Sequence, residues 1–337
     1  MKIRKRKTLA YGLMSIGLLL LLSGIILSIS IGAKEIDFSM IINAIFTNDA
    51  DINTNIIRDV RIPRALSAAL VGGFLAVAGA IMQGITRNPI AEPSVMGITQ
   101  GATFMIAVAL VIQRIFPHLI ISSFAMMMFA FAGASISGLL VYFVSSRSMR
   151  KVDPVKLALA GTALGTLLIS LAMGISMYFN LSQQLTFWIS GGVTGAKWSS
   201  ITLLAIIGGA ALIGAILMAP KITILSLGEE IAIGLGQKTN KIRFISILLV
   251  ILLTGASVSV AGNIVFVGLI IPQIVRGIVG ADYKYIIPSS MVFGSVLLVY
   301  SDILARMINP PYETPIGSLT ALLGVPVFIY LVRKDTK

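Results

Sequence analysis

RIPRALSAALVGGFLAVAGAIMQGITRNPIAEPSVMGITQGA, Arg61 to Ala102, is the stretch from which the rest of the chain can be read. From Ile62 to Gly84 it carries a single charge, Arg64, and is long enough to cross a hydrocarbon core of about 30 Å at about 1.5 Å per helical residue. Pro63 sits where a helix tolerates proline, in its first turn, with Arg61 and Arg64 on either side. Arg87-Asn88-Pro89-Ile90-Ala91-Glu92-Pro93 then interrupts the apolar run with two prolines, and a second apolar run begins at Ser94. A span, a tight polar connection and another span predict an all-α integral membrane chain.

The pattern repeats along the 337 residues. Apolar runs of membrane length are expected at 9–31, 62–84, 94–112, 119–144, 155–179, 198–217, 243–261, 264–279, 286–307 and 316–332. About ten transmembrane helices then form one permease-like domain over 1–337, with a longer polar loop at 218–242. Composition agrees: 57% of residues are hydrophobic and 12% charged, against about 25% charged in soluble domains. Mean hydropathy is +0.97. The first run is longer than the 7–15 residue core of a signal peptide, so it is expected to be retained as a helix.

Net charge is +13, yet the basic residues fall in short clusters between apolar runs, a pattern of membrane orientation more than of nucleic-acid binding. With both termini in the cytoplasm, 19 of the 26 Lys and Arg lie on the inner side. The acidic stretch with Glu35, Asp37, Asp49, Asp51 and Asp59 then lies outside. A shift of 183 residues aligns Leu66, Leu70, Gly72, Val77, Ala78, Gly79, Ile81, Pro89 and Gly97 with Leu249, Leu253, Gly255, Val260, Ala261, Gly262, Ile264, Pro272 and Gly280. Shared Gly, Ala and Leu composition would produce some of these identities. A true repeat displaced by five spans would be inverted in the membrane, as in many transporters. The Gly-rich stretches at 72–73, 133–138 and 161–165 suit close helix packing.

Several chemistries are excluded by what is absent. The chain has no Cys and one His, His118, so no thiolate or multi-His metal site can be built. No catalytic constellation, cofactor motif or Walker A spacing is present; Gly234 to Thr239 lacks the required register. Asp302 is the clearest acid within a span, with Arg306 one turn on. A proton-coupled carrier would need more such groups, so energy is expected from a partner.

Two polar segments are candidate interaction sites. Arg61 and Arg64, at the outer entrance to the second span, are expected to turn their guanidinium groups outward, where they can bind carboxylates bidentately. Arg306 would add a third positive point. Interfacial anchoring would place the same residues there. On the inner side, Ser226-Leu227-Gly228-Glu229-Glu230-Ile231-Ala232-Ile233-Gly234-Leu235-Gly236 can form a short helix. Its glutamates favour the N-terminus and its glycines the C-terminus. Such a helix can dock on a cytoplasmic protein or lie on the bilayer surface.

Taken together, Arg61 to Ala102, LSLGEEIAIGLG (Leu225 to Gly236), VAGNIVFVGLIIPQIVR (Val260 to Arg276) and ETPIGSLTALLGVPVFIYLV (Glu313 to Val332) resemble the FecCD-type permeases of ABC importers for ferric siderophores, haem and cobalamin. The resemblance implies a type II importer permease in the cytoplasmic membrane, without cofactor or catalytic residue. Its implied partners are cytoplasmic ATP-binding subunits, an extracellular substrate-binding lipoprotein and a second permease subunit, identical or paralogous. Arg61, Arg64 and Arg306 would receive carboxylates of the binding protein. Ser226, Leu227, Gly228, Glu229, Glu230, Ala232, Leu235 and Gly236 would couple to the ATPase. Gln273 stands where family members often have His, and Asp282-Tyr283-Lys284 where they often have Asp-His-Arg. A secondary transporter driven by an ion gradient is the alternative of a different class.

Overall fold

The computed structural model describes residues 2–32, 44, 52–146, 154–310 and 312–335. The expected outer acids Glu35, Asp37, Asp49 and Asp51 and the inner bases Arg147, Arg150 and Lys151 lie outside the described residues. The described chain is helical throughout, without a strand. Its long helices are α1 (Lys2–Ser30), α2 (Ile52–Thr86), α3 (Ile98–Ile115), α4 (Ser123–Ser145) and α5 (Pro154–Tyr178). After α6 (Ser182–Ser190) come α7 (Trp198–Leu227), α8 (Glu229–Gly234), α9 (Thr239–Ala261), α10 (Val267–Val279), α11 (Tyr283–Met307) and α12 (Ile316–Asp335). Eight of these are long and apolar enough to cross a membrane, and α10 and α12 contribute two shorter apolar stretches.

The helices differ from the hydropathy reading where polarity and helicity part company. The second helix begins at Ile52, ahead of the expected Ile62, with one wide π turn at Ile57–Arg61. The sixth span was expected to give way to a loop at 218; instead α7 runs through Pro220 to Leu227. Lys221 and Thr223 end the apolar run, but nothing in them ends a helix, and Gly228 at φ +144° is the residue that does. Helix α6 lies between the fifth and sixth expected spans, where hydropathy predicts no helix.

Helix α2 is the most enclosed long helix, and α9 and α11 flank it, whereas α1 and α5 lie at the periphery. Its residues explain why. A Cβ on Gly72 would lie 2.2 Å from the carbonyl oxygen of Gly294 in α11, and a Cβ on Gly79 would lie 1.8 Å from that of Gly268 in α10. Both distances are far inside van der Waals contact, so the backbones meet only because side chains are missing. That is the packing by which helices associate in lipid, where apolar burial gives no advantage over lipid tails. Gly101 and Gly133 similarly bring α3 and α4 together.

The 183-residue repeat holds in local structure only in part. Leu66 to Ala78 and Leu249 to Ala261 are both helical, in α2 and α9. From Gly79 the pairing fails: α2 continues to Thr86, whereas α9 ends at Ala261 and the chain is irregular to Phe266.

The connection after α2 is also more than a surface turn. Ser137, well inside α4, donates from Oγ to the Gly97 carbonyl at 2.8 Å. Glu92 lines a small cavity with Leu75, Thr254 and Val258, all from helix interiors. The 87–97 segment therefore folds back among the helices, where irregular backbone is tolerated because protein, not lipid, surrounds it.

Candidate functional site

The bundle has two polar ends. At the end expected outside, the C-terminus of α1, the first turns of α2 and the last turn of α11 meet around three arginines. Arg64, nearly buried, donates from Nε (3.0 Å) and Nη2 (2.8 Å) to Oδ1 of Asp302, a residue with no exposed surface. The other edge of the same guanidinium reaches Glu313, with Nη1 to Oε1 at 2.6 Å and Nη2 to Oε2 at 3.1 Å. Arg306 approaches the second oxygen of Asp302 at 3.2 Å. Thr194 donates its hydroxyl to Oε2 of Glu313.

The other contacts of these arginines go to backbone. Arg306 donates to the carbonyls of Ser28 (3.1 Å) and Ile31 (2.8 Å) and to the Ser28 hydroxyl (2.9 Å). Arg61 donates to the carbonyls of Ile29 (2.6 Å) and Ser30 (2.9 Å). The last carbonyls of a helix have no intrahelical donors, and its C-terminus favours positive charge. Two guanidinium groups thus cap α1. The expectation that Arg61, Arg64 and Arg306 turn outward is corrected: all three are largely buried. The physical reason is that bare helix ends and acids within the fold compete for them, and neither Asp302 nor Glu313 is near Arg64 in sequence.

Glu313, in the connection between α11 and α12, is drawn in two directions. Burial pushes its carboxyl up, but hydrogen bonds from Arg64 and Thr194 and the nearby arginine charges hold it below the ordinary carboxylate range. It stays ionised, with its side chain 35% exposed. Beside it opens a cavity of about 530 Å³, walled by Trp188, Ser190, Gly191, Gly262, Tyr312 and Glu313. The sequence pattern gives Glu313 no role of its own. Its signal, an acid just before a Thr-Pro, was too ordinary to single out.

At the opposite end, α7 and α11 are tied by a hydroxyl. Thr223 donates to Asp282 (3.2 Å) and accepts the Tyr283 N–H (2.9 Å), while Asp282 accepts the Lys284 N–H and caps α11. The expected helix over Ser226–Gly236 is divided: Ser226 and Leu227 are the last residues of α7, Gly228 breaks the chain direction, and only Glu229–Gly234 forms the short helix α8. Glu229 is paired with Arg243 at the start of α9 (3.1 Å). Ala232 is fully buried, so it anchors the helix instead of presenting itself. Leu227, Glu230, Ile231, Ile233, Leu235 and Gly236 are exposed. Ile231 and Ile233, absent from the sequence-based candidates, supply much of that apolar face. Periodicity alone could not separate them from the buried side of so short a helix.

Between the ends, the buried Gln83 and the half-buried Gln273 and Glu92 brace α10 and the residue ahead of it. Gln83 of α2 donates to the Leu269 carbonyl (3.1 Å), and Gln273 of α10 donates to Gln83 (2.9 Å) and to the Pro89 carbonyl (2.8 Å). Glu92 accepts the N–H of Phe266 at 2.8 Å, just ahead of α10, where Phe266 is held at φ +69°. The sequence pattern does not single out Gln83, and it marks Glu92 only as part of the polar 87–93 connection, which reads most simply as a turn. Among the described residues no group of His, Asp and Glu is arranged to hold a metal ion.

Residues 19–334 match the profile of the FecCD transport family. The iron(3+)-hydroxamate import system permease protein FhuB of Bacillus subtilis (strain 168) is 47% identical over 95% of this chain and 83% of its own length. The Fe(3+)-citrate import system permease protein YfmD of the same organism is 40% identical, covering 95% and 93%. The ferric enterobactin transport system permease protein FepD of Escherichia coli (strain K12) is 35% identical, covering 95% and 94%. A solved metal-chelate type ABC transporter, in an inward-facing conformation, superposes with a TM-score of 0.81 at 28% identity, over 97% of this chain and 99% of that one.

Proposed function

The chain belongs to the FecCD transport family, and from that premise we propose that it is the permease subunit of an ATP-driven importer whose cargo is a ferric siderophore. The observation that carries this reading is the pairing of long, near-full-length identity to iron-chelate permeases with two specialised ends on one helical bundle. A chelate arrives with its metal ligands already supplied. A permease without Cys or clustered His suits such cargo, because it need only enclose the complex and never strip it.

The proposed cycle is alternating access in the cytoplasmic membrane, with both termini inside. A loaded binding lipoprotein docks on the outer face, whose basic groups include Arg61, Arg64 and Arg306. Two ATP-binding subunits seat the 226–236 segment in a cleft and close on ATP. A second permease subunit completes the pathway. ATP hydrolysis belongs to the partner, not to this chain. The inner contact is supported by exposed apolar residues, Ile231 and Ile233 on α8 with Leu227 and Leu235 at either side of it, while Ala232 and the Glu229–Arg243 pair pin the helix to the bundle.

Reconstituted vesicles test the reading. Uptake of a ferric hydroxamate is expected only when the ATP-binding subunits, ATP and the binding protein are all present. Ferric citrate, haem and cobalamin serve as competing cargoes that report the chelate class. Uptake that persists without ATPase and binding protein but collapses with an ion gradient would overturn the proposal in favour of a secondary transporter.

A further inference from the structure

We propose that Glu313 is an internal stand-in for a docking carboxylate: it latches the 312–315 segment over the outer cavity and is displaced when a partner carboxylate takes its place on Arg64. This rests on the docking reading above and assigns it a moving part. The guanidinium of Arg64 has two hydrogen-bonding edges, and both are occupied. Its Nε edge holds Asp302, which is buried on a helix and also held by Arg306. Its Nη1/Nη2 edge, the one a bidentate visitor would use, holds Glu313.

The two acids differ in what holds them. Asp302 has no exposed surface, whereas Glu313 is a third exposed and projects from a connection, not a helix. Glu313 also takes the Thr194 hydroxyl, so one carboxylate ties three pieces together: α2, the 191–195 strip and the 312–315 strip. Both strips wall the cavity of about 530 Å³. Releasing Glu313 would untie the two walls from each other and from α2 while leaving Arg64 anchored through Asp302; each wall then keeps its own backbone bond, Gly192 N–H to the Ala261 carbonyl and Thr314 N–H to the Ala305 carbonyl. An incoming carboxylate replaces like with like, so the count of charge-assisted hydrogen bonds on Arg64 is conserved and the exchange has little net cost. By linkage, whatever loosens the latch strengthens docking to the same degree that docking loosens the latch.

The absence of cysteine from the chain makes the test direct. Ser190→Cys places a single thiol in the cavity wall, and a membrane-impermeant maleimide added from outside reports its accessibility. Labelling is measured in the parent, Glu313→Gln and Glu313→Ala backgrounds, with and without a soluble substrate-binding protein encoded alongside the transporter. Without that protein, Glu313→Ala is expected to label about tenfold faster than the parent or more, the loss of a charge-assisted contact, with Glu313→Gln in between. The binding protein should accelerate the parent and add little to Glu313→Ala. Equal slow rates in all three backgrounds would overturn the latch even where a pull-down shows the binding protein docked. Acceleration by Glu313→Ala, with no effect of the binding protein on the parent and no pull-down, would support the latch and sink the docking reading instead.

Discussion

Arg64 serves two carboxylates at once, and removing it leaves a charge with no access to water. Arg64→Ala is expected to destabilise the solubilised protein by about 3 kcal/mol, because Asp302 keeps only Arg306 as a charged partner in a buried setting. Arg64→Ala combined with Asp302→Asn should recover part of that loss in thermal unfolding, since the stranded charge goes too. The contact with Glu313 has a definite pH sense. Its carboxyl titrates lower in the fold than in the unfolded chain. Its stabilisation is therefore fully present above the ordinary carboxylate value of 4.5 and is lost as pH falls through the lowered one. Unfolding midpoints of parent and Glu313→Gln should then converge on acidification and separate near neutrality. Glu92 makes a different kind of contact, a carboxylate accepting the half-buried N–H of Phe266. Glu92→Ala should cost about 1–3 kcal/mol by orphaning Phe266 N–H. Glu92→Gln, which keeps an acceptor, should cost less.

The elements are held by near-contact of backbones as much as by side chains. Gly79→Ala would drive a methyl into the Gly268 carbonyl, and neither backbone can yield without moving α2 or α10. Overpacking of this kind costs about 1–3 kcal/mol, and the folded yield measured by size exclusion should fall accordingly. Helix α8 is the element on which the proposed energy coupling depends. Glu229→Lys with Glu230→Lys sets like charge against Arg243 and reverses the helix's first turn. The variant is expected to insert normally but to hydrolyse ATP without moving cargo; preserved coupling would count against α8. The same reasoning singles out Ile231→Ser and Ile233→Ser, which should weaken ATPase binding without disturbing the buried Ala232.

At the scale of the whole molecule, the proposal requires that the arginine cluster and α8 face opposite compartments. Tyr312→Cys and Leu235→Cys are both well exposed positions. A one-sided reagent should reach the first only from outside and the second only from inside; finding both open to the same side would dismantle the topology. Much of this architecture was legible from residues alone. Lipid as solvent forces long apolar helices, and the short helix α8 declares itself through two acids ahead of two glycines; the orientation that the basic clusters predict is what the labelling tests. Helix ends were less legible, because hydropathy marks where a membrane stops and α7 continues past that point to Gly228. Two things were decided only in three dimensions. One was the environment of the arginines: Arg64 meets Asp302 and Glu313 across more than two hundred residues of chain, and Arg61 and Arg306 find the open end of α1. The other was the burial of Gln83 against α10 and the reach of Glu92 to Phe266 just ahead of it. Sequence carries the period and the solvent preference of each segment, both local quantities. Which buried donor meets which distant acceptor depends on packing between helices, and only the folded bundle specifies that.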